Sequence, residues 1–240
     1  GNGGQGNSCP LFFSLRMENI LKRLNYILYV VLAVSISFFI VIFSYNAILR
    51  VPETYTYHFN DSQVTYNLNT KTSGTEFSSE ICSYLNSPLK SEFQVYEKNG
   101  KFNDPLFEKK EVEVMRKAKK ILTVSAIAGL FFGILSIFSY IYLLKNGRRS
   151  KLKRANNFAI ALAVIMQIVI VISLNVDAIR KVIYKIFIEV NPGKESLLIE
   201  LIGTPFEAVV SVFATIIMAI LIGIFVYINK KLIKDERIFY

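Results

Sequence analysis

Residues Leu24–Leu49 read LNYILYVVLAVSISFFIVIFSYNAIL, 26 residues without one charged side chain. At about 1.5 Å per residue, a helix of this length outreaches the roughly 30 Å hydrocarbon core of a bilayer. A cleaved signal peptide has a shorter apolar region and a small-residue cleavage site, so this segment reads as a retained signal-anchor. Working outward, three more stretches of the same kind follow: Ile121–Leu144, Phe158–Val176 and Phe206–Ile228. The expected fold is an all-α membrane protein with four transmembrane helices and a small mixed α/β extracytoplasmic cap.

The charge lies between these stretches. The net charge is +10, from 28 Lys and Arg against 18 Asp and Glu. Lys145, Arg148, Arg149, Lys151, Lys153 and Arg154 crowd the second connection with no acid among them. Lys22 and Arg23 precede the first stretch, and Lys230, Lys231 and Lys234 follow the fourth. Short basic connections stay in the cytoplasm. By contrast, Val51–Glu113 holds ten acids and six bases and reads as the translocated side. The expected location is the plasma membrane, multi-pass, with both termini cytoplasmic. Basic residues that flank apolar spans face anionic headgroups, so no nucleic-acid partner is expected.

The chain divides accordingly. Residues 1–16 read as a flexible extension or cloning remnant ahead of a natural start at Met17. The first span and its lead occupy 17–49; the cap and the outer part of the second helix occupy 50–116. The second span is 117–144, a basic cytoplasmic loop 145–155, and the third span with an outer extension 156–190. An outer loop, 191–204, precedes the fourth span at 205–229 and a cytoplasmic tail at 230–240.

Within the cap, Tyr55, Tyr57 and Phe59 alternate with polar residues, as do Val64, Tyr66 and Leu68, which predicts a hairpin. Phe77, Ile81, Tyr84 and Leu85 share one helical face behind Ser73 and Glu76 at capping-box spacing. Phe93, Val95 and Asn99-Gly100 suggest a second short hairpin. Asp104-Pro105 predicts the start of one helix of about 40 residues running into the second span. The charged residues Asp177, Arg180, Lys181, Lys185 and Glu189 predict that the third span continues as helix to about Val190, where Asn191-Pro192-Gly193 stops it. Leu197–Ile202, around Glu200, is too short to cross. Thr204-Pro205-Phe206-Glu207 reads as a capping box with proline at the first helical position.

Chemistry is sparse. GxSxG, HExxH and Walker motifs are all absent from the sequence. With two cysteines and one histidine, neither a metal nor a cofactor is expected. No ionisable residue sits near mid-span, which argues against a transporter. His58, the sole imidazole, reads as a surface residue, with general base as the sharper alternative. Glu207 reads as a helix cap before it reads as a functional carboxylate. Glu108–Lys120 reads as a solvated face, which leaves Glu111, Met115 and Lys119 merely adjacent.

The stretch PLFEKKEVEVMRKAK at 105–119, then Ile183–Phe187 leading to Leu198–Ile202 and Phe206, resembles the lipoprotein intramolecular transacylase (Lit) family of low-GC Gram-positive bacteria. The resemblance covers the layout of most of residues 17–234, and Glu111, Met115 and Lys119 match the family pattern. It implies movement of an acyl chain from the glyceryl group of a lipoprotein cysteine to that cysteine's amino group. It also implies membrane lipids and lipoproteins as partners. Two outer-face histidines carry the reaction in the family; their places fall on Val114 and near Arg180 or Lys181. An expected Asp is Lys117, and the family's tryptophan motif is missing. Candidate catalytic residues are therefore Glu111 and His58, and candidate binding residues are Met115, Lys119, Arg180, Lys181 and Glu207. A non-catalytic accessory, immunity-type or partner-binding membrane protein is the competing reading.

Overall fold

The computed structural model of the protein describes residues 9–62, 73–90, 92–99, 102–146, 149–187 and 204–233. In chain order these form α1 (Cys9–Leu49), α2 (Pro52–Ser62) and α3 (Gly74–Asn86), then the strands β1 (Tyr96–Asn99) and β2 (Phe102–Pro105). The long helices α4 (Lys109–Asn146) and α5 (Arg149–Asn175) follow, then α6 (Asp177–Phe187) and α7 (Thr204–Leu232). Helices α1, α4, α5 and α7 are long and apolar enough to cross a membrane, so the four expected spans are present.

Helix α1 is the hub. Half of its span is buried, against 17–22% of the other three, and it packs on α4, α5 and α7. Apolar burial gains nothing over lipid tails, so close contact between helices requires small residues. On α5, Ala155, Ala159 and Ala163 recur on one buried face. There Ser37 Oγ of α1 donates to the Ala159 carbonyl at 2.8 Å. On α4, a Cβ at Gly129 would lie 2.9 Å from Ile42 Cγ2, and one at Gly133 would lie 3.0 Å from the Phe39 ring.

The cap covers one end of the bundle and leans on it, as its small size requires. Its core runs from Ile48 through Phe77 and Phe93 to Met115 on α4 and to Phe206 and Val210 on α7. Aromatic rings form a chain through it: Phe59–Phe77 at 6.4 Å, Phe77–Phe107 at 6.3 Å, Phe93–Phe107 at 5.0 Å and Tyr84–Phe93 at 5.4 Å. Helix α3 matches its expectation: Ser73 Oγ accepts from the Glu76 N–H at 3.2 Å, and Phe77, Ile81, Tyr84 and Leu85 are buried. The second hairpin is the antiparallel pair β1–β2, with Asn99 opposite Phe102.

Several expectations are corrected. The first hairpin is not formed: Tyr55, Tyr57 and Phe59 lie on α2, and the mixed α/β cap becomes a nearly all-helical one. Tyr55, Tyr57 and Phe59 satisfy an alternating pattern, but Pro52 at the first turn and Glu53 beside it favour a helix start. Tyr55 and Phe59, four apart, are then buried while Tyr57 is 53% exposed. Thr54 Oγ1 and the Tyr55 hydroxyl donate to the Ile48 and Leu49 carbonyls, satisfying the open end of α1. Val64, Tyr66 and Leu68 lie outside the described residues, as do Asn191–Gly193, Leu197–Ile202 and residues 1–8.

Helix α1 begins at Cys9, inside the expected extension, because no breaker separates Leu11 from the span. Helix α4 starts at Lys109; Asp104 and Pro105 belong to β2 instead. The start is set by Glu111, whose Oε2 accepts from the Glu108 N–H at 2.8 Å in the reciprocal half of a capping box. The expected basic loop is largely helix, since α5 already begins at Arg149. Its Leu152, Ala155 and Asn156 turn inward and its cations outward.

The third span does not run on unbroken. It bends at Val176, where Asn175 Nδ2 donates to the Val171 carbonyl at 2.8 Å and Asp177 opens α6. Such local side-chain bonds compete with the helix ladder. The apolar residues of α6, Ile179, Val182 and Ile186, are exposed on one face, opposite Asp177, Lys181 and Lys185. That is the form of a helix lying in a membrane interface.

Candidate functional site

Two groups of the expected site residues sit at the cap end. The first is a single face of α4. Glu111, Met115 and Lys119 succeed one another at four-residue spacing and point into the cap, so they are not a solvated face. Glu111 is 6% exposed and is occupied in capping α4. Met115 is buried in the aromatic core. Lys119 Nζ donates to the Ser87 and Lys90 carbonyls at 2.6 and 2.7 Å and lies 4.3 Å from the centre of the Tyr84 ring. These bonds pin the segment after α3 onto α4. Val114, the first carried-over position, packs at the edge of the same core.

The second group joins α2, α6 and α7. Arg180 Nη1 lies 3.2 Å from Glu207 Oε2, and both side chains are nearly buried, at 13% and 9% exposure. Arg180 also pairs with the exposed Asp177. Glu207 thus spends an oxygen on Arg180, a contact 27 residues away in sequence. Lys181, its neighbour on α6, is exposed.

Next to Glu207, Phe206 receives Tyr55 stacked at 4.9 Å and His58 edge-on at 5.3 Å. His58 is 1% exposed. The surface reading is therefore corrected: one helical turn places His58 beside Tyr55 and Phe59, whereas strand alternation would have turned it outward. The structure brings His58 to Phe206, adjacent in the chain to the Arg180–Glu207 pair.

A polar stripe descends from Glu207 along α7, and no single motif in the sequence announces it. Ser211 Oγ donates to the Glu207 carbonyl at 2.8 Å, Thr215 Oγ1 to the Ser211 carbonyl at 2.7 Å, and Gln167 Nε2 of α5 to Thr215 Oγ1 at 2.8 Å. The buried Tyr45 hydroxyl lies beside Gln167 and Ser211 on the same stripe. The signal available was the recurrence of Glu207, Ser211 and Thr215 every four residues. Among the described residues, no cluster of His, Cys, Asp and Glu could hold a metal ion.

This arrangement supplies a carboxylate, a guanidinium and an imidazole at the junction of cap and bundle, above a polar seam. The Tyr55 and Phe206 rings pack beside them.

Comparison with known proteins places the fold. The family model described as lipoprotein intramolecular transacylase Lit matches residues 30–192. A structure of the Bacillus cereus lipoprotein intramolecular transacylase Lit, with one histidine replaced by alanine, is similar at a TM-score of 0.70 and 14% identity, covering 92% of this chain and 99% of that one. A second, with a histidine replaced by arginine, gives 0.67 and 15%, covering 91% and 97%. A third Bacillus cereus Lit structure gives 0.63 and 15%, covering 88% and 98%. No curated protein matches. The resemblance carried by residues 105–119 is thereby borne out, and with more than half of its 240 residues matched, the chain belongs to the Lit family of integral membrane proteins.

Proposed function

We propose that this protein handles the acyl chains of lipoproteins at the outer leaflet of a bacterial plasma membrane, as an acyltransferase centred on Arg180 and Glu207. The cap faces outward and both termini face the cytoplasm, by the distribution of lysine and arginine. One observation carries the reading: a nearly buried Arg180–Glu207 pair heads a polar stripe under the cap of a Lit-family fold.

The chemistry is an ester-to-amide shift. The free amine of a lipoprotein's N-terminal cysteine attacks the ester carbonyl of its glyceryl-linked chain. A C–N bond forms, the ester C–O bond breaks, and the amine proton passes to the departing glyceryl oxygen. Glu207 carries that proton, and Arg180 opposes the negative charge of the tetrahedral intermediate. Positioned proton transfer is worth about 10²–10⁴-fold. His58, behind Phe206, is a second proton-active group. Glu111 serves α4 as its cap.

One feature favours a second reading, a non-catalytic lipid- or partner-binding relative. Val114 and the Arg180–Lys181 pair stand where the family resemblance places histidines. Mass spectrometry of a reporter lipoprotein's N-terminus, with and without this gene, separates the two. Transfer predicts an N-acylated cysteine with the wild type and a loss of about 100-fold or more with Glu207→Gln. Glu111→Gln should change nothing, because glutamine serves equally in a capping box. An acyl pattern indifferent to the gene would sink the enzymatic reading.

A further inference from the structure

At the end of the bundle opposite the cap, an apolar groove of about 340 Å³ opens between α4 and α7 over α1. We infer that this groove holds one acyl chain of an anionic phospholipid, with its headgroup against the basic helix ends. The inference does not depend on the acyl-transfer reading, because the groove and the Arg180–Glu207 pair lie at opposite ends of α7.

Shape comes first. Helices α4 and α7 each pack on α1 rather than broadly on each other. Ile36 and Phe39 form the floor, Ile137 and Ile141 one wall, and Ile224 and Ile228 the other. Along α7 the groove runs from Leu221 to Leu232, about 16 Å at 1.5 Å per residue. That is half of the roughly 30 Å hydrocarbon thickness, the depth of a single leaflet. A transmembrane helix from a partner would need the full depth.

Polarity fixes the direction. Apart from Ser136, whose hydroxyl donates to the Gly133 carbonyl, the groove is apolar until its basic end, where Tyr140 and Asn229 line it. Asn229 Oδ1 accepts from the Tyr140 hydroxyl at 2.6 Å and from Asn156 Nδ2 at 2.8 Å. Asn229 thus uses its oxygen for protein contacts, and its amide nitrogen is of the donor type that the ester carbonyl of a glycerolipid accepts from.

Charge names the headgroup. Lys230 and Lys231 follow Asn229 directly in the last turn of α7, and Lys145 stands in the last turn of α4. Arg149, Lys151, Lys153 and Arg154 open α5 at the same end. Cations in a first helical turn oppose the helix dipole, so helix stability does not account for them. Each cation near the surface favours an anionic lipid, and the cytoplasmic leaflet is the anionic one.

The test uses the full chain purified in detergent and native mass spectrometry with dioleoyl phosphatidylglycerol, dioleoyl phosphatidylcholine and glycerol 3-phosphate. The wild type should retain phosphatidylglycerol about tenfold better than phosphatidylcholine. Ile224→Trp, which fills the groove, should lower that retention about tenfold, and Ile137→Trp does the same from the opposite wall. Gly223→Ala should have no effect, since its Cβ would enter open space. Lys230→Gln with Lys231→Gln should erase the preference between the two lipids. Equal retention of both lipids by the wild type overturns the proposal, and this comparison needs no variant to fold. Displacement of the lipid by glycerol 3-phosphate, which would mark a headgroup-only site, also overturns it. So does a wild-type dimer abolished by Ile224→Trp, which would make a second copy the occupant.

Discussion

Under the cap, Phe59, Phe77, Phe93 and Phe107 touch ring to ring. In the bundle, the corresponding buried positions on α5 are Ala155, Ala159 and Ala163. Both regions exclude solvent, yet they use opposite ends of the size range. The cap stands where water is the alternative, so each large ring withdrawn from it contributes, at about 25 cal/mol per Å² of apolar area. Inside the bilayer the alternative is lipid, which solvates a side chain as well as a neighbouring helix does. There the return comes from backbones that approach closely and from polar links across the gap. Aromatic rings build the cap, whereas in the bundle the alanines of α5 let the larger residues of α1 come close.

The sharpest test of this contrast is Phe77→Ala in the cap, at a position with no exposure. A buried phenylalanine truncated to alanine costs about 3–5 kcal/mol. Limited proteolysis should cut the cap of the variant while the spans stay intact. Leu32→Ala, equally buried in α1, should cost visibly less in a detergent unfolding assay, because its transfer from water is not at stake. Equal losses would erase the distinction.

Cys82 reports on the cap from within. It is buried and free, and burial, then the Glu53 carboxylate, pushes its thiol from 9.0 up to about 11. At pH 8 a two-unit rise leaves about 100-fold less thiolate, the nucleophilic form. Alkylation of the folded protein should be slower by at least that factor than in denaturant. The sign for stability follows from linkage: the unfolded chain loses this proton first. The contribution is therefore whole below pH 9 and is lost as pH rises through 11. Rapid labelling at pH 8 would show that the aromatic cap is not closed.

The converse test overfills the bundle. Ala159→Leu puts a large side chain where the Ser37 hydroxyl reaches the α5 backbone. Overpacking costs about 1–3 kcal/mol, and the loss should appear as a lower unfolding midpoint in detergent, with Cys82 labelling unchanged. If labelling rises too, cap and bundle share one cooperative unit.

Much of this plan was legible in the residues. The spans announce themselves because no charge interrupts them, α3 because Ser73 and Glu76 cap it, and α7 because Pro205 opens it. What escaped was ambiguous or nonlocal. Tyr55, Tyr57 and Phe59 fit a period of two as well as the spacing of four, and only Pro52 and Glu53 tip the balance to helix. A strand at α2 would turn His58 outward, whereas the helix buries it. Asp104-Pro105 looked like a helix start, yet Glu111 reaching back to Glu108 set it four residues later. Arg180 and Glu207 each stand out singly in the sequence. Their meeting depends on the bend at Val176 and on how α6 lies against α7, which no local pattern encodes.

The smallest predicted effect probes the polar links of the bundle. Gln167 Nε2 bonds Thr215 Oγ1 between α5 and α7, while among the described residues no donor meets Gln167 Oε1 at full hydrogen-bond geometry. Interhelical hydrogen bonds in membranes average about 0.6 kcal/mol, because the separated helices also find partners. Gln167→Leu removes one bond and one orphaned acceptor together, so the net change in detergent unfolding should be about 0.6 kcal/mol or less. Thr215→Val leaves Gln167 with two unmet groups and should cost more. The double variant should recover part of that loss, since removing both partners of a buried pair is cheaper than stranding one. If the double variant is instead the worst of the three, the stripe below Glu207 stabilises the bundle as a connected network. Packing by small residues would then be only part of what holds these helices together.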